Sequence, residues 1–127
     1  MKISGKFDVK MTPQAQDGSP EAPGRMLLDK RSHGALDATA TGQMLARMTA
    51  TKGSAGYVAM ELVSGSLDGK AGSFTLQHSG TMTRGVPSLS VTVVPDSGTE
   101  ALLGLSGKMD IRIEGGEHFY DFDYSLP

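Results

Sequence analysis

The sequence predicts an all-β protein folded as a closed eight-stranded antiparallel barrel with at most one short helical turn. Apolar and polar residues alternate with the period of a half-buried strand over much of the 127-residue chain. Turn signals rich in the chain's 17 glycines separate these runs, and long helical patterns are scarce. About eight such runs, joined mainly by hairpins, are most economically arranged as a barrel, because closure leaves no open strand edge. A β-sandwich is the competing arrangement.

The first strand is read from Ile3, Gly5, Phe7, Val9 and Met11 alternating with Lys2, Ser4, Lys6, Asp8 and Lys10. Residues 12–24 then carry three prolines and almost nothing apolar, which predicts an exposed, mobile loop. A second strand spans about Arg25 to His33. A third, Asp37 to Thr51, has a mixed period in which Gly42 suggests a bend or bulge, and a helix over residues 41–50 competes with it. Lys52-Gly-Ser-Ala-Gly56 reads as a turn into a fourth strand, Tyr57 to Leu67. Between the sixth and seventh strands, Thr99-Glu-Ala-Leu is expected to make one helical turn, capped by Asp96, Ser97 or Thr99, that plugs one end of the sheet.

Three hairpins test the reading against itself. A two-residue Asp68-Gly69 turn puts Glu61 on the same face as Leu76 and His78. An even loop at Arg84-Gly85-Val86-Pro87 adds Met82, Leu89, Val91 and Val93 to that face. Gly115-Gly116 aligns Met109, Ile111 and Ile113 with His118, Tyr120, Phe122 and Tyr124. A slip of one residue in any loop would move a whole set of side chains to the other face, so the agreement is informative.

Composition bounds the rest. One domain, 1–127, is long enough to bury roughly two thirds of its unfolded surface. There are no cysteines, so disulfides, thiolate metal sites and thiol nucleophiles are excluded. A net charge of −2 without basic blocks argues against a nucleic-acid partner. The N-terminus lacks the apolar core of a signal peptide and no run approaches membrane-spanning length, so a cytoplasmic protein with no membrane partner is expected. The 8 methionines suit an adaptable interior, or simply fill gaps in a core.

Glu61 lies between Met60 and Leu62 in an otherwise apolar or small strand. Facing the lumen, it would be a candidate acid, base or ligand anchor; alternatively it points to solvent or pairs with Lys30 or an arginine. His78, on the predicted inner face, falls near Glu61 or Val63 across the strand pair, as half of an acid/base pair or as a satisfied core histidine. Tyr57, Tyr120 and Gln43 would add polar groups to a mostly apolar lumen. The candidate ligand-binding residues are thus Glu61, His78, Tyr120, Tyr57 and Gln43, and no catalytic residue is assigned. His33, His78 and His118 show no neighbouring-ligand spacing, so neither a metal nor a cofactor is expected. The glycines of Gly53-Ser-Ala-Gly56 and Gly104-Leu-Ser-Gly107 make turns, since neither stretch opens a helix or carries a phosphate-gripping Lys.

The runs Lys52-Gly-Ser-Ala-Gly-Tyr-Val-Ala-Met-Glu61, Gly72-Ser-Phe-Thr-Leu-Gln-His-Ser-Gly-Thr-Met-Thr-Arg-Gly85, Val93-Val-Pro-Asp-Ser-Gly-Thr99, Leu103-Gly-Leu-Ser-Gly107 and Gly116-Glu-His-Phe-Tyr120 resemble, in order, a bacterial family of unknown function. The similarity covers nearly the whole chain outside the proline-rich loop. That family looks like the allene oxide cyclase barrel, related in shape to lipocalin-like barrels. The resemblance implies a fold and no site residues. The plant enzyme steers ring closure of a fatty-acid epoxide by the shape of an apolar cavity.

The expected function is binding of an apolar or amphipathic small molecule in the lumen, with isomerase- or cyclase-like chemistry as its extension. The alternative is a non-catalytic structural or interaction module whose barrel is filled with side chains and which self-associates. Val58, Met60 and Leu62 are expected to point outward as an apolar stripe, which predicts a homo-oligomer in either case. Lumen volume discriminates: about 300 Å³ or more invites a ligand.

Overall fold

The computed structural model describes residues 1–15, 19 and 21–127. Among them eight strands close into one barrel: β1 (Lys2–Pro13), β2 (Gly24–Ser32), β3 (Leu36–Met48), β4 (Ala55–Leu67), β5 (Lys70–Thr83), β6 (Val86–Val93), β7 (Ser106–Glu114) and β8 (Glu117–Ser125). Every strand is antiparallel to the next, and β8 returns to β1 with Gly5 opposite Tyr120. This is the predicted all-β barrel. β3 is extended throughout, so the competing helix over residues 41–50 does not form.

The hairpins set the faces as their sequences imply. Asp68 and Gly69 both adopt positive φ, 49° and 81°, the mirror-image turn whose twist matches that of the strands it joins. The following ladder pairs Glu61 with Leu76 and Ala59 with His78. Arg84-Gly85 and Gly115-Gly116 turn in the same way, with Val86 and Pro87 already inside β6.

Three local expectations are corrected. The mixed period of β3 is not a bulge: the ladder runs unbroken through Gly42, which lies opposite Glu61, and its inner face simply ends in Gly42, Met44 and Ala46. The loop expected over residues 12–24 is shorter, because Thr12 and Pro13 stay in the ladder opposite Leu27 and Met26; part of that segment lies outside the described residues. The expected single helical turn is present, as the 3-10 turn Glu100–Leu102, and what is corrected is its cap: the N-cap residue Thr99 makes no capping bond with its side chain. Thr99 Oγ1 instead accepts from the Ser73 amide at 3.0 Å, tying the turn to β5.

The two ends of the barrel differ. At one end Leu36, Leu67, Phe74, Phe122 and Tyr124, with Leu102 and Leu105 from the 3-10 segment, are buried together. The Phe74 and Phe122 rings stack there at 5.9 Å. At the other end, the side chains on the inner parity of the strands are apolar yet uncovered: Met11 is 52% exposed, Met82 and Leu89 41%, and Ile113 67%. One end is plugged and the other is an apolar mouth. No helix among the described residues is long and apolar enough to cross a membrane.

Candidate functional site: a buried carboxylate between a lysine and a histidine

Beneath the mouth, three ionisable side chains meet inside the barrel. Glu61 on β4 and His78 on β5 sit on inner positions of adjacent strands, and Lys30 reaches them from β2. Lys30 Nζ donates to Glu61 Oε1 at 3.0 Å, and His78 Nε2 lies 3.3 Å from the same oxygen. Glu61 and His78 are buried, and the Lys30 side chain is only 10% exposed. The residue directly opposite His78 is Ala59, whose methyl leaves the imidazole free to reach diagonally to Glu61.

Burial by itself pushes the Glu61 carboxyl up. The hydrogen bond to His78 and the adjacent Lys30 ammonium outweigh that and hold it below its ordinary value. Glu61 is therefore an ionised carboxylate at neutral pH, and His78 Nε2 is assigned as the protonated ring nitrogen that donates to it. Lys30 Nζ also stands 4.8 Å from the centre of the Phe7 ring. The second carboxylate oxygen, Oε2, is buried with no hydrogen-bond partner among the described residues. A buried acceptor on an ionised carboxylate that is left unpaired costs more than most buried polar atoms.

The sequence-predicted residues separate into three groups. Glu61 and His78 are brought together, and Tyr57 covers them on the mouth side with its ring 6.5 Å from that of His78. Burial, and then the Glu61 charge, push the Tyr57 phenol up, so it stays protonated. Tyr120 is buried too, but its hydroxyl donates to the His33 carbonyl at 2.8 Å and accepts from the Leu36 amide at 3.2 Å, which commits it to backbone at the plugged end. Gln43 corrects the expectation of a lumen residue: the even positions of β3 face inward, so Gln43 is on the outer wall, where its Oε1 accepts from Arg25 at 2.9 Å.

Lys30 completes the cluster. In the sequence it was visible only as one possible partner of Glu61, because Leu27 interrupts the alternation of Met26, Leu28, Lys30 and Ser32 that would have put it inside. The lumen around Glu61, Lys30, Ser32 and Tyr120 leaves a cavity of only about 10 Å³, close to the least that holds one water. The deep half of the barrel is filled by side chains. His33 pairs with Asp8 at 3.0 Å, and His118 packs on Phe7 with ring centres 5.3 Å apart, so the three histidines do not converge. Among the described residues no three His, Asp or Glu side chains form a metal-holding group.

Residues 3–124 match the family model described as a protein of unknown function, DUF3224. The chain belongs to the DUF3224 family. A crystal structure from Shewanella oneidensis MR-1, described as a DUF3224 protein of unknown function, is 52% identical, with a TM-score of 0.95 over 100% of this chain and 97% of that one. No curated protein matches. DUF3224 membership therefore carries the barrel across nearly the whole chain and brings no activity with it.

Proposed function

We propose that this DUF3224 barrel binds an apolar or amphipathic small molecule in its mouth half, with the tail among the mouth methionines and the polar head turned toward Lys30, Glu61 and His78. The observation that carries the reading is the buried, ionised Glu61 with its Oε2 unpaired. A hydroxyl or N–H of a ligand head is the complement of that oxygen. Met26, Met44 and Met82 stand on inner positions between the cluster and solvent, and their unbranched side chains re-pack readily, so a ligand would enter by displacing them. His78, oriented by Glu61, is the group that would carry a proton to or from a bound molecule. That chemistry needs no cofactor and is of the isomerase or cyclase kind.

Calorimetric titration with decanol tests the reading, with decane as the headless control. The wild type is expected to bind decanol, and Glu61→Gln and His78→Ala, folded by circular dichroism, to bind at least about tenfold more weakly, as loss of a charge-assisted hydrogen bond implies. Equal affinity in wild type and both variants would sink it, as would no binding at all.

The filled deep lumen favours a second reading, in which the barrel is a non-catalytic structural or interaction module that self-associates. Absence of decanol binding would select it.

A further inference from the structure

The 26 Lys, Arg, Asp and Glu side chains of the chain are distributed unevenly around the barrel wall. The outer faces of β7, β8, β1 and β2 carry charges of both signs, including Lys6–Glu117 at 3.0 Å and Arg112–Asp121 at 2.6 Å, and β3 adds Asp37 and Arg47 near its two ends. Across β4, β5 and β6 only two such residues occur: Glu61, which faces inward, and Lys70, at the Asp68-Gly69 hairpin. The outward positions between are Ser, Thr, Gln, Ala and Gly around Val58, Met60 and Leu62, each half exposed.

An apolar centre inside an uncharged polar rim is the composition of a protein interface. The charge pattern also selects the partner. The outer face of β4–β6 offers no charge to nucleic acid, to an anionic surface or to a protein of opposite charge, and it meets a copy of itself without repulsion, while the outer charges of β3, Asp37 and Arg47, sit near the two ends of that strand, Asp37 paired with Arg31. Its relief suits the same partner: Leu45 and Val58 form a ridge that lines two hollows, of about 560 Å³ and 430 Å³, whose outer edges also carry Arg25 and Arg47 respectively. A two-fold operation presents the same ridge and hollows from the other side, so that ridges seat in hollows. Four strands, β3–β6, of 8 to 14 residues span roughly 750 Å² of wall at about 4.8 Å between strands and 3.3 Å per residue. A stable interface takes about 800 Å² per partner.

We propose that two copies of this chain associate about a two-fold axis through the β3–β6 wall, whose outer face is free of charge along β4–β6, with Val58 and Met60 near the axis. The inference does not depend on what the lumen binds, and it supplies the second reading above with a face and a symmetry.

Sedimentation velocity of the full chain from 1 to 100 μM is the test. The wild type is expected to run at about twice its 13.3 kDa monomer mass. Met60→Lys and Met60→Glu, each with unchanged circular dichroism, are expected to associate at least 100-fold more weakly, because like charges meet across the axis. Mixing the two variants should restore a dimer, whereas Lys108→Glu on the charged wall should leave association unchanged. A strictly monomeric wild type overturns the proposal, whether or not it binds neutral lipid vesicles, and so does a dimer insensitive to both Met60 variants. A mixture that stays monomeric overturns the two-fold geometry. Met60 points away from the lumen, so decanol binding by the monomeric variants separates this outcome from failure of the ligand reading.

Discussion

Gly42 of β3 stands directly across the ladder from Glu61, so close that a methyl group on it would lie 2.7 Å from the Glu61 Cα and 2.1 Å from the Met60 carbonyl oxygen. Backbone cannot yield to that overlap as a flexible side chain would. Gly42→Ala is therefore expected to cost about 2 kcal/mol, lowering Tm by several degrees in a thermal melt. Gly56→Ala, whose nearest neighbour would be 3.9 Å away, should leave Tm within a degree or two or raise it.

The Lys30–Glu61 pair gives a sign-determined pH effect. Because the folded carboxyl lies below its ordinary value near 4.5, its contribution is present above that value and lost as pH falls through the folded one. Glu61→Gln leaves the Lys30 ammonium uncompensated and should destabilise by about 3 kcal/mol at pH 7. The gap to wild type in urea unfolding should narrow below about pH 4.5. A constant gap from pH 7 to pH 3 would show that Glu61 is not held ionised.

Removing the whole pair is expected to behave differently from breaking it. Lys30→Met with Glu61→Leu should be neutral or stabilising by about 1–4 kcal/mol relative to wild type, since two charges are no longer desolvated. The same double variant should lose decanol binding. A barrel that is more stable and empty of ligand is the outcome expected of charges kept for function.

Tyr124 tests the plugged end. Its hydroxyl donates to the Asp68 carboxylate, and this bond, with burial added, pushes the phenol up to about 12. In an ultraviolet titration of the three tyrosines, Tyr124 should ionise last, with the associated stability present below about pH 10 and lost as pH rises through 12. Asp68→Asn keeps a residue suited to the turn and should bring that titration down.

Strand order, hairpin register and the inner placement of Glu61 and His78 were legible in the sequence because two-residue turns transmit parity without ambiguity. Alternation places neither Gln43 nor Lys30, for one physical reason. β2 and β3 carry apolar residues on both walls, Leu27 and Leu45 outside and Leu28 and Met44 inside, so alternation alone does not tell them apart. The role of Gly42 was invisible because it depends on how closely a neighbouring strand approaches. The filling of the deep lumen depends on the size of side chains from strands distant in sequence, Phe7, Leu76, Met109 and Tyr120 among them.

The most direct measurement is a methyl NMR titration of protein labelled at its methionine methyl groups with decanol. Saturable shifts at Met26, Met44 and Met82 with Met60 unmoved, and a midpoint moved to at least about tenfold more decanol in Glu61→Gln, are the expected result. Shifts confined to Met60 on the outer wall, or none at the three inner methionines, would contradict a ligand seated above Glu61.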